Sequence, residues 1–408
     1  MRLLAAILTS LALVVWAAAT ASADVPLGRL ADPALVDEPA VPPWPSGRSP
    51  AAYAGCRPRR PAVPPPPGEA RGVDPGSPNP LAGGRFFVDP EEPAYRSWKF
   101  LRARGRSGKA ALLWRIAREP RFRWFGAFTR PNMARRIRQY LARARCLQPG
   151  SVPLMTVMRH QGAECHRRYL AGGARADRAQ RRWYRKFARA IGGRRVVIGF
   201  EPDSTGTIGC LARSRRAARI STLAYGVRVL SRLPQATVYI EAGASDWEAP
   251  GTVARKLRRL GIHRVRGFML NVTHLDWTAA NVRYGLAVSR RVGGKPFVIN
   301  TATNGRGPVH YNRRPGRASR RINVWCNPGY RGLGPPPTTL TSHPKVDAYL
   351  WISRPGYGQS CSGGSAGAWW LARALMYARY ATAWESPPAG TRHGHFERLS
   401  DRQLGIRR

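Results

Sequence analysis

Val196–Asp203 reads VVIGFEPD. Apolar residues surround a single glycine, and the run stops at Glu201-Pro202-Asp203. A stretch so short and so uniformly apolar predicts a strand covered on both faces. Outward from it the pattern repeats. Val152–Met158 (VPLMTVM), Ala236–Glu241 (ATVYIE), Val265–Asn271 (VRGFMLN), Pro296–Asn300 (PFVIN) and Asp347–Ile352 (DAYLWI) are strand-like. Between them Ala179–Ile191, Ser214–Leu233, Thr252–Leu260, Thr278–Val292 and Gly367–Tyr380 are helix-like. Short apolar strands alternating with helices predict parallel β/α units. No G-x-G-x-x-G or G-x-x-x-x-G-K-[ST] follows a strand. That favours an α/β barrel over an open nucleotide-binding sheet.

Flanking segments set the domain limits. Residues 1–23 carry one early charge at Arg2, an apolar run from Leu3 to Ala19 and the small-residue pattern Ala21-Ser22-Ala23. These features predict a secretory signal cut before Asp24. An uncleaved anchor is the alternative, since the run approaches the length of a span; no later run does. Residues 24–80 form a proline-rich linker that includes Pro64–Pro67. Residues 81–384 form the barrel, and residues 385–408 a polar tail.

Export makes the six cysteines candidate disulfide formers. Cys165 and Cys210 each follow a strand-like run, and Cys326 and Cys361 bracket a long loop. Cys56 and Cys146 remain as a third possible pair. Six cysteines allow fifteen pairings, so the order alone does not decide. The histidines, with His393 and His395 in the tail, lack metal-ligand spacing, so no metal or other cofactor is expected.

The formal net charge is +46, from 68 Lys+Arg against 22 Asp+Glu. This first suggests a polyanion binder. All but six of the basic residues are arginine, and Gly (42) and Pro (36) are also plentiful. A GC-rich genome produces that combination, so a solvated arginine surface is the simpler reading and no nucleic-acid partner is expected. Acids are scarce, so carboxylates ending apolar strands are informative. Barrel chemistry sits at the C-terminal ends of strands. There VVIGF leads into Glu201 and Asp203, TVYI into Glu241, GFML into Asn271 and PFVI into Asn300. Trp124, Trp247, Trp277, Trp325 and Trp351 fall in the same regions. Trp247 and Trp325, in Gly/Pro-rich loops, are the better ligand candidates. Trp351, Trp369 and Trp370 read as core.

LAGGRFFVDP (Leu81–Pro90), EPDSTGTIGCL (Glu201–Leu211), VYIEAGASDW (Val238–Trp247), GFMLNVTH (Gly267–His274), NTATNG (Asn300–Gly305), WCNPGYRGLG (Trp325–Gly334) and VDAYLWISRPG (Val346–Gly356) resemble glycoside hydrolase family 6. Those are secreted cellulases, the endo-β-1,4-glucanases and cellobiohydrolases. The resemblance is collinear over residues 81–382. It implies a distorted (β/α) barrel with fewer than eight parallel strands, acting as a monomer on a β-glucan polysaccharide. The implied reaction is inverting hydrolysis, with carboxyls roughly 6.5–9.5 Å apart.

By the resemblance Asp203 is the general acid, with a pKa raised by burial and neighbouring charge. Glu164, before Cys165, takes the place of the family's tuning Asp, and Glu241 that of another Asp; both are one methylene longer. Trp124, Trp247, Asn271 and Trp325 match sugar-binding positions. The departures cluster elsewhere. Met158, Ala163 and Tyr169-Leu170 stand where the family has an aromatic, an Arg and a Ser. Ser353 replaces a Lys, Tyr357 a Glu and Thr303 an Arg. Gln359 stands at the base position, and an amide does not take up a proton at neutral pH. A solvent chain ending at Glu164 would be one substitute, and Asp246 or Glu248 another. Two further functions stay open: a carbohydrate-binding barrel without catalysis, and a basic protein adhering to anionic wall polymers.

Overall fold

The structure is a computed structural model that describes residues 78–129, 131–159, 173–312, 321–323, 327–359, 367–382 and 385–386. The signal segment, most of the proline-rich linker, Glu164, Cys165, Trp325, Cys326, Cys361, Cys56 and most of the tail lie outside those residues.

Seven parallel strands form one curled sheet. In sheet order they are β1 (Arg123–Gly126), β2 (Leu154–Met158), β3 (Val196–Phe200), β4 (Ala236–Glu241), β5 (Gly267–Leu270), β6 (Phe297–Asn300) and, from late in the chain, β9 (Val346–Leu350). The intervening β7 (His310–Asn312) and β8 (Arg321–Asn323) make a separate antiparallel hairpin. The helices are α1 (Pro93–Ala103), α2 (Ser107–Ala117), α3 (Met133–Leu147), α4 (Ala174–Ile191), α5 (Arg213–Leu230), α6 (Pro250–Leu260), α7 (Thr278–Arg291) and α8 (Leu371–Arg379). Helices α3 to α7 each return the chain to the start of the next parallel strand, as parallel pairing requires.

The two edge strands meet without a ladder. The Phe122 amide donates to the Trp351 carbonyl at 3.0 Å, and the Trp124 indole donates to the Ile352 carbonyl at 2.7 Å. The sheet therefore curls into a barrel sutured by these bonds, with fewer than eight strands.

Two apolar layers explain why the strands read as unbroken apolar runs. Val196, Ile198 and Phe200 of β3 face the helices, while Val197 faces the barrel interior with Leu154, Tyr239, Met269, Val298 and Leu350. Gly199 also faces inward. A Cβ there would lie 2.9 Å from the Met269 sulfur, so the interior closes on the backbone at that point.

At the opposite end from the strand-end polar groups, Arg266 grips Asp347 of β9 with two bonds of 2.9 Å. The Tyr239 hydroxyl donates to the same carboxylate at 2.7 Å. All three side chains are buried. This is the polar floor of the barrel.

Several boundaries move from expectation. The strand expected over Val265–Asn271 shortens to Gly267–Leu270, because Asn271 turns into the left-handed region (φ 65°). The helix expected from Gly367 starts at Leu371. Trp369 and Trp370 precede it, half-buried, and Trp369 packs edge-on to Tyr357 while its indole donates to Ser97. Trp277 and Trp351 are core residues. Cys146 and Cys210 are both disulfide-bonded, and their partners lie outside the described residues.

Candidate active site at the C-terminal ends of the strands

The ends of β3, β4 and β5 build the site. Glu201 and Asp203 follow β3 with φ of 54° and 65°, a conformation costly for residues with a Cβ and kept where surrounding contacts enforce it. For Glu201 the contacts are clear. Its carboxylate accepts the Tyr184 hydroxyl from α4 and the Arg159 amide at 3.1 Å. Glu201 thus ties the β3 end to β2 and α4, leaving Asp203 as the carboxyl displayed by this turn.

Asp203 is itself largely buried and accepts a hydrogen bond from the Thr273 hydroxyl after β5. Glu241, at the end of β4, grips the Asp203 loop. One carboxylate oxygen accepts the Thr205 amide at 2.9 Å and the Thr205 hydroxyl, and the other accepts the Gly243 amide. Burial, then the charge of Asp203, pushes the Glu241 carboxyl from its ordinary 4.5 up to about 7. Glu241 is therefore a buried loop anchor that holds a proton near neutrality.

A raised folded pKa on an acid means the native state binds the extra proton. Stability contributed by that proton is present below about pH 4.5 and is lost as pH rises through about 7. The loss across this window is about 3 kcal/mol. Urea titrations of wild type should show it. Glu241→Gln should flatten that slope, at a pH-independent cost of about 1–3 kcal/mol, because an amide cannot accept from both Thr205 and Gly243. An unchanged slope in the variant would refute the assignment.

Asn271 is also fully buried. Its amide donates to the Asp276 and Asn300 carbonyls at 2.9 and 3.1 Å. It was expected to bind sugar; its bonds make it a brace for the loop after β5. Asn300 braces the next strand end, accepting the Ile352 and Ser353 amides at 2.9 Å each.

Trp247 is half-buried. Its ring stacks on His274 (centroids 4.8 Å apart, planes at 23°) and lies against Gly206, where a Cβ would come within 2.1 Å of it. Trp124 is half-buried with the Arg354 guanidinium over its ring at 5.3 Å. Arg354 also covers Tyr357 at 3.9 Å, and the Tyr357 hydroxyl donates to Glu92 at 3.1 Å.

Two of the departures meet each other: the hydroxyls of Thr303 and Ser353, at positions where an Arg and a Lys were expected, lie 3.4 Å apart. Gln359 is paired with Asn327 by two reciprocal bonds, side-chain oxygen to backbone amide, of 2.8 and 3.0 Å. Of the substitute bases, Glu248 is clasped by Lys256 at 2.6 Å on both oxygens, and Asp246 is bonded to His274 at 2.7 Å. Glu164 and Trp325 lie outside the described residues. Thr273, His274, Glu92 and Arg354 were not singled out from sequence. The GFMLNVTH block carried the first two, but a loop Thr or His has no pattern until the fold sets it beside an acid.

Among the described residues no group of three or more His, Cys, Asp or Glu side chains is arranged to hold a metal ion. No helix of the described residues is long and apolar enough to cross a membrane.

Comparison with known proteins gives a consistent picture. The family model "Glycosyl hydrolases family 6" matches residues 81–393. Endoglucanase A of Cellulomonas fimi is 34% identical over 307 residues, which cover 74% of this chain and 62% of that protein. Endoglucanase 1 of Streptomyces halstedii is 30% identical over 277 residues, covering 66% of this chain and 80% of that one. The solved endoglucanase Cel6 of Mycobacterium tuberculosis superposes with a TM-score of 0.64 at 33% identity, covering 74% of this chain and 99% of that chain. Endoglucanase CEL6B of Humicola insolens, at 19% identity and a TM-score of 0.61, shares the fold. The chain thus spans less than two thirds of the length of the Cellulomonas fimi protein.

Proposed function

The chain belongs to glycosyl hydrolases family 6, and on that premise we propose that it is a secreted glucanase that hydrolyses β-1,4-glucosidic bonds with inversion. The observation that carries this reading is the placement of Asp203. It stands on a left-handed turn at the barrel mouth, fixed by Thr273 from one strand end, while Glu241 anchors its loop from another.

Asp203 protonates the departing glycosidic oxygen. Water attacks the anomeric carbon from the opposite face, and its proton leaves through solvent to a carboxylate. Gln359 does not fill that last role. Glu248 is neutralised by Lys256 and Asp246 is bonded to His274, so Glu164 is the acceptor of choice. Trp124, Trp247 and Trp325 supply stacking faces for sugar rings. Residues 1–23 serve as the export signal, residues 24–80 as a spacer, and the polar tail from 385 as a surface extension. The protein acts as a monomer.

One observation favours a second reading, a carbohydrate-binding barrel without turnover. The Gln359 side-chain oxygen is engaged by the Asn327 amide, and an amide side chain cannot take a proton from water. Sugar release from a panel of soluble and insoluble β-1,4-glucans separates the two. Release above background removes the binding-only reading. Retention on the glucan with no release removes the hydrolase reading.

A further inference from the structure

We propose that His274, held by Asp246 and stacked on Trp247, is a positioning residue whose charge sets the proton occupancy of the Asp203–Glu241 carboxyl pair. This rests on the reading of Asp203 as the acid.

Two contacts fix the imidazole, and its chain neighbour ties it to the acid. Its Nδ1 lies 2.7 Å from an Asp246 carboxylate oxygen. Its ring stacks on Trp247. Its neighbour in the chain, Thr273, donates to Asp203. Trp247 in turn presses on Gly206, three residues past Asp203. The loops after β3, β4 and β5 therefore meet at this ring, and a shift of His274 is felt at the acid.

Among the described residues, the charges that act on the imidazole are carboxylates. Asp203 comes from the loop after β3. Glu241 and Asp246 come from the end of β4 and the loop beyond it. Asp276, on the same loop as His274, is near enough to feel its charge. Glu248, the other acid of the β4 loop, is turned to Lys256. Burial alone would strip the proton from the ring, but the surrounding carboxylates, Asp246 first, outweigh it and hold the proton above the ordinary pKa. His263 is shifted the other way, by burial and then by Arg264 and Lys295, and serves as an internal comparator.

The sign of the coupling follows. A cation beside Asp203 and Glu241 favours their ionised forms. Replacing it by a neutral group lets these carboxyls keep a proton to higher pH. A general acid must hold a proton to act, so His274 limits how far the active range extends into alkali.

The test is an NMR titration of the full chain with labelled histidine rings and Asp/Glu carboxyls, in wild type, Asp246→Asn, His274→Asn and His274→Lys. In wild type His274 should titrate above His263. Asp246→Asn should lower the His274 midpoint by about 1 pH unit. His274→Asn should raise the midpoint of the Glu241 carboxyl by about 0.5 pH unit or more, and His274→Lys, which keeps the charge, should restore it. The alkaline limb of kcat/KM should move upward in His274→Asn by a similar amount. A Glu241 midpoint unchanged in folded His274→Asn, or a His274 midpoint indifferent to Asp246→Asn, overturns the inference. The carboxyl midpoints are readable even without glucan turnover, so an inert wild type sinks the proposed function and leaves this inference to its own data.

Discussion

Asp203→Asn is expected to lower kcat on β-1,4-glucans by about 10²–10⁴-fold, the range set by loss of a general acid. The substitution is nearly isosteric. The amide oxygen still accepts the Thr273 hydroxyl, and the Glu241 contacts to Thr205 and Gly243 do not involve the altered atom. Folding and glucan binding should therefore persist, and KM should change only a few-fold. What disappears is a proton for the leaving oxygen. An aryl glucoside whose leaving group departs without protonation should lose much less than a natural glucan. A variant that keeps more than a tenth of wild-type activity on natural glucans would place the acid elsewhere, and Glu241, which holds a proton near neutrality, would be first in line.

The second large effect lies at the other end of the barrel. Asp347→Ala should destabilise the fold by about 3–5 kcal/mol, because it takes the paired carboxylate from a buried guanidinium. Arg266 loses both of its bonds to the carboxylate, and the Tyr239 hydroxyl loses its acceptor. The residues lie where β4, β5 and β9 meet in the interior, so water has little access to repair the loss. Replacing both charges with apolar residues of similar volume should recover much of the stability, since the pair's attraction largely offsets its own desolvation. Urea melts of the single and double variants measure both effects. A cost below about 1 kcal/mol for Asp347→Ala would mean that the floor is wet.

The strands that sequence makes legible are those buried on both faces. VVIGF appears where its apolar run places it, because two-sided burial requires residues of that kind at every position, and in ATVYIE the same holds from Val238 onward. Strand β1 escaped notice: RWFG is only four residues long, and two of them are only half-buried. The hairpin β7–β8 is built from HYN and RIN, which carry no strand pattern.

Within the candidate site, Asp203 and Glu241 were legible as strand-end carboxylates, because such residues stand out in an acid-poor chain. The role of Glu241 was not, since only the folded loop shows its oxygens closed around Thr205 and Gly243. Asn271 illustrates the same limit. A strand-end Asn can bind a sugar or the backbone, and the φ of 65° together with carbonyl partners decides for the backbone. Tyr357 reads as a lost carboxylate. In the fold, Glu92 from a distant segment brings a carboxylate to its hydroxyl, a pairing that spans most of the chain and leaves no local trace.

Inverting hydrolysis of a β-1,4-glucan with Asp203 as acid is the chemistry proposed for this barrel. The most direct measurement is proton NMR of the first sugar released from a cello-oligosaccharide, recorded before mutarotation, for wild type and Asp203→Asn. The expected result is the α-anomer at early times from wild type and no product above background from the variant. The β-anomer from wild type, or equal release from both proteins, would contradict the account.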